Sequence, residues 1–213
     1  MVKIEMPVEQ AKLVAEACHF YARMLIGDCK AVIDLCLDRN LPDNEYSARS
    51  RTAMEYLDKA KALISSSSSP AEDVEEDVLK LKEALEQSRG TVTISDNQSK
   101  LLSSICEFYA RVKMGQFNEI IWYFLDMKLP SDDFCERRDG ATRLLLKARE
   151  AIYPDLYGIG HSYGIGKFED ADKVYDVHQA IRYANGHFRE PFSYYPVPKC
   201  TVIRDISEKH SRA

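Results

Sequence analysis

The chain has 213 residues, a formal net charge of −5 and 45% hydrophobic residues, which is enough to bury a core as one domain or two small ones. This acidic balance argues against binding of duplex nucleic acid, which needs a basic face. No apolar run reaches membrane-spanning length and the N-terminus has no apolar signal core, so we expect a cytoplasmic protein without a membrane partner. The six cysteines contain no CxxC pair, which favours free thiols over a structural metal site.

The chain contains an internal repeat. The segment Cys18–Arg23, Cys-His-Phe-Tyr-Ala-Arg, returns 88 positions later as Cys-Glu-Phe-Tyr-Ala-Arg at Cys106–Arg111. The register continues without a gap, and roughly a third of positions 4–64 are identical to their partners, far above chance. We therefore predict a duplication with three parts: helical repeat 1 at 2–90, helical repeat 2 at 91–186, and a C-terminal tail at 187–213.

Each repeat is predicted to hold one short strand followed by four helices. The strands are the alternating stretches 2–6 and 91–94. The first helix begins after Pro7 in repeat 1 and after the capping-box pattern Ser95-Asp-Asn-Gln98 in repeat 2, and Gly27 and Gly115 can end it. The later helices are predicted at about 30–39, 46–64 and around 78–85 in repeat 1, and at about 118–128, 134–152 and around 174–181 in repeat 2.

These elements predict a mainly α-helical fold with a small β element. The two helical repeats are expected to pack face to face about a pseudo-two-fold axis. The segment 200–204 could add a further strand to the small sheet. The tail at 187–199 is rich in aromatic residues and proline, so we expect it to be extended. Such a tail most often crosses its own fold, but it could equally reach a neighbouring subunit and support a homo-oligomer.

One helix face recurs in both repeats. Tyr21 and its counterpart Tyr109 belong to the predicted buried stripe. Phe20 and Arg23 share a neighbouring face, as do their counterparts in repeat 2. The simplest interpretation is that this face packs one repeat against the other, while each arginine caps carbonyls or pairs with a carboxylate. A paired-arginine anion site is the alternative.

The main difference between the repeats follows the third helix. Repeat 1 has a serine run, 65–69, whereas repeat 2 has the segment 153–166, which is about eight residues longer and contains Tyr-Gly-Ile-Gly twice. Glycines let backbone N–H groups approach an anion, and tyrosines could stack on a base. The predicted ligand site comprises Tyr157, Gly158, Gly160, His161, Ser162, Tyr163, Gly164, Gly166, Lys167 and Arg111. The alternative is an ordered turn whose glycines take positive φ and whose tyrosines cover the core.

Other candidate sites are weaker. The acidic run 72–77 has a Glu-x-x-Glu pattern but no partner Glu-x-x-Asp, so we interpret it as a solvated helix start. The histidines other than His161 form no nucleophile or metal pattern, and His178, which matches Lys82, is expected on a helix surface. We therefore predict no catalytic residue, no cofactor and no metal.

Repeat 2 also carries a resemblance. Its segments 108–111 (Phe-Tyr-Ala-Arg), 115–117 (Gly-Gln-Phe), 162–166 (Ser-Tyr-Gly-Ile-Gly) and 175–182 (Tyr-Asp-Val-His-Gln-Ala-Ile-Arg) resemble a family of small proteins encoded by tailed phages and prophages. The likeness covers about 91–185. Repeat 1 departs from it, because Gly-Asp-Cys replaces Gly-Gln-Phe and the tyrosine-glycine segment is missing. The resemblance implies a setting, the infected bacterial cytoplasm, and no reaction.

These observations favour a non-enzymatic, phage-type binding protein. It would capture a small anionic ligand such as a nucleotide, or a host protein, and so counter host defence. In this hypothesis the loop backbone and Lys167 hold the anion, Tyr157 or Tyr163 stacks on it, and Arg111 adds charge. The alternative is a structural or assembly interaction module. A third hypothesis is a nucleotide-processing enzyme.

Overall fold

The computed structural model describes residues 1–64, 72–156, 162–185 and 200–204. In these residues the chain is mainly helical with one small antiparallel sheet, as the sequence predicts. The strands are β1 (Val2–Glu5), β2 (Thr91–Ile94) and β3 (Thr201–Arg204). The helices are α1 (Val8–Leu25), α2 (Lys30–Cys36), α3 (Asp43–Ile64), α4 (Glu72–Gln87), α5 (Asp96–Lys113), α6 (Asn118–Phe124), α7 (Ser131–Ile152) and α8 (Glu169–Ala184). The predicted tail at 187–199 and the serine run at 65–69 lie outside the described residues.

Glycine ends α1 and α5 as predicted. Gly27 has φ +74°, its N–H donates to the carbonyl of Met24, and the N–H of Asp28 donates to the carbonyl of Arg23. This double bond pattern is a Schellman motif, which needs a left-handed residue that glycine adopts without a steric cost. Gly115, with φ +89°, forms the same pattern at the end of α5. The capping box at Ser95 is also present, with reciprocal bonds to Gln98.

Two predicted helices are shorter than expected. We predicted ends near 39 and 128, whereas α2 and α6 end at Cys36 and Phe124. The residues that follow, Leu37 and Leu125, have extended backbones with ψ of 131° and 129°. An aspartate comes next in each case and accepts a hydrogen bond from the N–H two residues further on. These local turns compete with helix continuation, which the apolar periodicity alone does not reveal.

The sheet has the order β2-β1-β3, with β1 in the centre and both neighbours antiparallel to it. Ile4 lies opposite Val92 on one side and opposite Val202 on the other. Ile4 and Val92 are 88 positions apart, so counterparts of the predicted repeat face each other. The predicted strand at 200–204 is confirmed as β3.

Aromatic residues of α1 and α5 make reciprocal contacts. Phe20 stacks on its counterpart Phe108, with ring centroids 5.5 Å apart and an interplanar angle of 19°. Phe20 meets Tyr109 edge-on at 5.9 Å, and Phe108 meets Tyr21 edge-on at 5.6 Å. When each residue is replaced by its counterpart 88 positions away, the Phe20–Phe108 contact maps onto itself and the two edge-on contacts map onto each other. A two-fold axis between the predicted repeats would produce this arrangement. Both tyrosines are buried, as expected.

The chain forms two compact units, and each contains segments of both predicted repeats. The first unit comprises Met1–Tyr21, Asp73–Ala110 and Glu169–Ala213, and the second comprises Ala22–Glu72 and Arg111–Phe168. The first holds the whole sheet, and the second holds α2, α3, α6 and α7. These compact units therefore do not coincide with the predicted ranges 2–90 and 91–186.

In the first unit, the expectation that His178 lies on a helix surface is wrong. His178 is buried, and its Nδ1 lies 3.0 Å from both the hydroxyl and the carbonyl oxygen of Ser103. The counterpart of His178 in repeat 1 is Lys82, and the counterpart of Ser103 is Ala15, which has no polar side chain. A histidine can be buried at this position because α5 supplies a hydrogen-bond partner for its ring.

In the second unit, α3 and α7 form the most extensive helix–helix contact. A Cβ added at Gly140 would lie 2.8 Å from Cδ1 of Leu63, and the Lys147 ammonium lies 5.3 Å from the ring centroid of Tyr56. The end of α3 thus contacts the first half of α7, and the middle of α3 contacts the second half of α7. The two helices are antiparallel, and Gly140 permits their close approach.

Across the described residues, no helix combines the length and the apolar character needed to cross a lipid bilayer.

Candidate functional site

The described part of the predicted site lies in the second unit. Ser162, Tyr163, Gly164, Gly166 and Lys167 are described, and Arg111 lies at the end of α5. The other four predicted residues lie outside the described residues; they are Tyr157, Gly158, Gly160 and His161.

Hydrogen bonds attach the segment after α7 to the end of α5. The N–H of Tyr163 donates to the carbonyl of Met114 at 2.8 Å, and the Tyr153 hydroxyl donates to the carbonyl of Lys113 at 2.7 Å. The side-chain amide of Gln116 donates to the Ser162 hydroxyl at 3.2 Å. The first two bonds satisfy carbonyls that the end of a helix leaves without partners. The described part of the segment is therefore fixed to the helix end.

An aromatic cluster fills the space under this segment. Tyr153 meets Tyr163 edge-on at 5.3 Å, and Tyr163 meets Phe168 edge-on at 5.4 Å. Phe117, at the start of α6, lies 6.3 Å from Tyr153. Tyr153 is buried and Tyr163 is half-buried. The tyrosines thus cover the core, as the alternative interpretation of this segment predicts, and Tyr163 also keeps an accessible edge.

Beside the cluster lies a cavity of about 530 Å³, which we call the basic groove. Its lining includes four basic and three aromatic side chains, namely Arg39, Arg49, Lys113, Lys167, Tyr153, Tyr163 and Phe168. This volume lies within the range of about 300–1,000 Å³ that is usual for small-molecule sites. The fold therefore brings two of the predicted residues, Tyr163 and Lys167, to one wall of a ligand-sized cavity.

Two lysines of the basic groove lie over aromatic rings. The Lys167 ammonium is 5.2 Å from the ring centroid of Tyr163, and the Lys113 ammonium is 5.5 Å from that of Phe168. Lys113 also donates to the carbonyl of Leu35. Such cation–π contacts restrict the position of each ammonium while it keeps donors for a further partner. The two cations are thus held in place by neutral groups.

Carboxylates also line the basic groove. Asp34 is paired at 2.9 Å with Arg23, which also pairs with Asp28, and Arg49 is paired with Glu45, so both arginines are already engaged by carboxylates. Asp38 accepts hydrogen bonds from the residue two positions on. The exposed Arg39 has no hydrogen bond or ion pair in the described part of the chain. The positive charges best available to a ligand are therefore those of Lys113, Lys167 and Arg39.

Arg111 is engaged in its own unit. Its Nη1 lies 3.2 Å from the Gln116 amide oxygen and 3.2 Å from a carboxylate oxygen of Glu119. Its counterpart Arg23 donates to Asp28 at 2.7 Å, so both arginines pair with carboxylates. These pairs agree with the simpler of the two interpretations of the recurring face, in which each arginine pairs with a carboxylate. Arg111 reaches the loop indirectly, because Gln116 bonds to both Arg111 and Ser162.

The two described glycines of the segment differ in backbone conformation. Gly166 has φ +93°, which L-residues rarely adopt, whereas the φ of Gly164 is not positive. A Cβ at either position would meet no heavy atom within 4 Å. Only Gly166 is thus required for conformational reasons, and the open space at both leaves the backbone accessible.

Several lining residues were not predicted from the sequence. Lys113 corresponds to Leu25 of repeat 1, and Arg39 corresponds to Met127 of repeat 2. These exchanges of an apolar for a basic residue at matched positions were the available signal. A comparison of the repeats that considers only identical residues does not detect these exchanges. The proximity of Arg39 to Lys113 depends on tertiary packing, which sequence spacing does not give.

Among the described residues no cluster of histidine, cysteine and acidic side chains could hold a metal ion. All six cysteines are free thiols, as expected. Burial raises the pKa of Cys36, which lines the basic groove, to about 11, although the nearby Lys113 lowers it in part. A thiol with so high a pKa is a poor nucleophile at neutral pH.

Comparison with family models, with curated proteins and with solved structures finds no match for this chain.

Proposed function

We propose that the chain is a binding protein that captures a small anionic ligand, such as a nucleotide, in the basic groove. The observation that carries this proposal is the pair of ammonium groups, Lys113 and Lys167, held over the aromatic rings of one ligand-sized cavity. A phosphate-like anion between these groups and Arg39 would gain charge-assisted hydrogen bonds. An attached apolar or aromatic group would lie against Tyr163 and Phe168.

The setting is a further part of the proposal. The resemblance of repeat 2 to small proteins of tailed phages and prophages favours a role in the infected bacterial cytoplasm. There, capture of a nucleotide would lower its free concentration and so counter a host response that depends on it. Capture needs affinity and no catalytic group.

The first test is the intact mass of the purified chain under native and denaturing conditions. We expect a ligand-sized mass excess that is present only in the native spectrum. The variants Lys167→Gln and Arg39→Gln should lose this excess. Lys128→Gln is the matched control, because Lys128 is an exposed lysine of the same unit that does not line the basic groove.

A direct measurement uses a fluorescent nucleoside diphosphate as the probe. Removing either exposed cation should weaken binding about tenfold, which corresponds to about 1.4 kcal/mol. Binding should also weaken with added salt, because exposed charges are screened. A wild-type chain that carries no extra mass and does not bind the probe at millimolar concentration would contradict the proposal.

A second candidate, the interaction module, is favoured by a different surface of the same unit, the apolar cavity lined by Ile26 and Met127. The third, a nucleotide-processing enzyme, would require metal-dependent turnover that is lost when His161 or the acidic run 72–77 is changed.

A further inference from the structure

A second cavity of the same unit has a volume of about 570 Å³ and a mainly apolar lining. We call it the apolar groove, and the lining residues that matter here are Leu25, Ile26, Ile64, Phe124 and Met127. At its rim, Ile26 and Met127 are each 64% exposed, which is unusual for such large apolar side chains. Contiguous exposed apolar surface of this kind often marks a binding surface.

The apolar groove and the basic groove occupy corresponding positions of the two repeats. Their lining residues match at a spacing of 88: Leu25 with Lys113, Ile64 with Ile152, Phe124 with Cys36, Leu125 with Leu37, Asp126 with Asp38, and Met127 with Arg39. The contacts that residues after α7 make beside the basic groove therefore indicate which contacts a chain segment could make at the apolar groove.

At the basic groove the cover is the chain's own segment after α7. Leu156 and Tyr153 lie so close to Gly115 that an added Cβ would be 2.6 Å from Cδ2 of Leu156. Tyr163 then donates its backbone N–H to the Met114 carbonyl at 2.8 Å. Two features thus define the cover: bulky apolar side chains over the glycine at the helix end, and a main-chain hydrogen bond to the residue before that glycine.

At the apolar groove the matching acceptor is the carbonyl of Ile26. In the part of the chain that the structure describes, this carbonyl accepts no hydrogen bond. Gly27 is faced by the side chain of Lys61, whose flexible end would lie 2.7 Å from an added Cβ. The sequence that follows Ile64 is a serine run, which has no bulky apolar side chain to cover the groove in the way that Tyr153 and Leu156 do.

We propose that the apolar groove docks an extended peptide segment of a partner protein that carries bulky apolar side chains, tyrosine and leucine above all. One such side chain would displace the end of Lys61 and lie over Gly27. A backbone N–H of the segment would donate to the Ile26 carbonyl, as Tyr163 does at Met114. The partner segment has little net charge, because the charged groups of the groove are limited to Lys61 and Asp126.

The chain supplies its own probe for this proposal. A labelled peptide with the sequence of residues 153–163, Tyr-Pro-Asp-Leu-Tyr-Gly-Ile-Gly-His-Ser-Tyr, contains Tyr153, Leu156 and Tyr163, which make the described contacts at the corresponding position of repeat 2. Fluorescence anisotropy with the purified full-length chain should show saturable binding. Ile26→Glu and Met127→Glu should each weaken it at least tenfold, because they place a carboxylate at the apolar rim.

The matched control is Trp122→Glu. Trp122 is 52% exposed on α6 and does not line the apolar groove, so this variant introduces the same charge into a similar surface residue. It should bind the peptide as the wild type does, and circular dichroism checks that all three variants are folded.

Two outcomes would overturn the proposal. One is the absence of peptide binding, or binding that all three variants share. The other is a dimer of the chain in the native mass spectrum that Ile26→Glu dissociates while the peptide does not bind, since the occupant would then be a second copy. Lys167→Gln should leave peptide binding unchanged, so this test is independent of the ligand proposed for the basic groove.

Discussion

The basic groove and the apolar groove are built on corresponding helices of one compact unit, yet they differ in charge and in cover. At one, a long segment brings in an aromatic cluster and lies beside basic residues. At the other, the residues that correspond to Lys113 and Arg39 are Leu25 and Met127, and the serine run after α3 carries no bulky side chain. The two grooves thus differ through the connection after one helix and a few exchanged lining residues, while the corresponding helices keep equal lengths.

The largest expected effect tests whether the aromatic cover stabilises the second unit. Tyr153 is buried and bonded to the Lys113 carbonyl, so Tyr153→Ala should lower the free energy of unfolding by about 3 kcal/mol or more. Met127→Ala, at the exposed rim of the apolar groove, should change it by about 0.5 kcal/mol or less. Urea denaturation of both variants gives the comparison, and similar losses would show that the two grooves do not differ as described.

The glycines that end α1 and α5 give a matched pair of changes. Gly27→Ala should cost about 1–2 kcal/mol of stability, since alanine must adopt a left-handed backbone and Lys61 can swing away. Gly115→Ala should cost about 1 kcal/mol more, because its Cβ would collide with the packed side chain of Leu156. Denaturation midpoints at an unchanged urea dependence measure the difference. Equal losses of stability would mean that Leu156 moves away from an added Cβ as easily as Lys61 does.

Two glycines of the segment after α7 test backbone strain without steric contact, because a Cβ at either position would meet no heavy atom within 4 Å. Gly166→Ala should cost about 1 kcal/mol because its φ is +93°, whereas Gly164→Ala should be close to neutral. Both variants leave the side chains of the basic groove in place. Thermal unfolding followed by circular dichroism tests this order, which would fail if Gly164→Ala were the less stable variant.

The smallest expected effect concerns the thiols that line the grooves. Burial raises the pKa of both Cys29, in the apolar groove, and Cys36, in the basic groove, to about 11, so both stay protonated near pH 8. Brief treatment with iodoacetamide should modify the more exposed Cys135 first. On longer treatment Cys29 should react before Cys36, because it is the more exposed of the two, at 8% against 5%. Peptide mass mapping gives the order, and earlier modification of Cys36 would contradict it.

Local signals predicted most of the secondary structure. Apolar periodicity, the capping box at Ser95 and the glycines at 27 and 115 located the helices and several of their ends, and alternation located β1 and β2. The ends of α2 and α6 were missed by about three residues, because the turn made by an aspartate side chain is stronger there than the apolar pattern. These features depend on neighbours in sequence, and they could therefore be read from it.

The site was less predictable because it depends on long-range packing. The segment with Tyr163 and Lys167 stood out as the difference between the repeats, but its basic neighbours Arg39 and Lys113 come from other elements. His178 was misplaced for a related reason: its buried position depends on Ser103, a partner on another helix. In both cases two residues that are neighbours in the fold both differ from their counterparts in the other repeat. This signal can be recognised only when the structure shows which residues are neighbours.

The reciprocal contacts of the sheet and of α1 with α5 have a consequence for assembly. Ile4 faces Val92 and Phe20 stacks on Phe108, and each pair consists of counterparts, as when identical chains associate about a two-fold axis. On one polypeptide the two partners are always made in equal number, and the connecting chain sets their effective concentration. The first compact unit, which holds both pairs, therefore forms these contacts at any protein concentration, whereas the same contacts between separate chains would be lost on dilution.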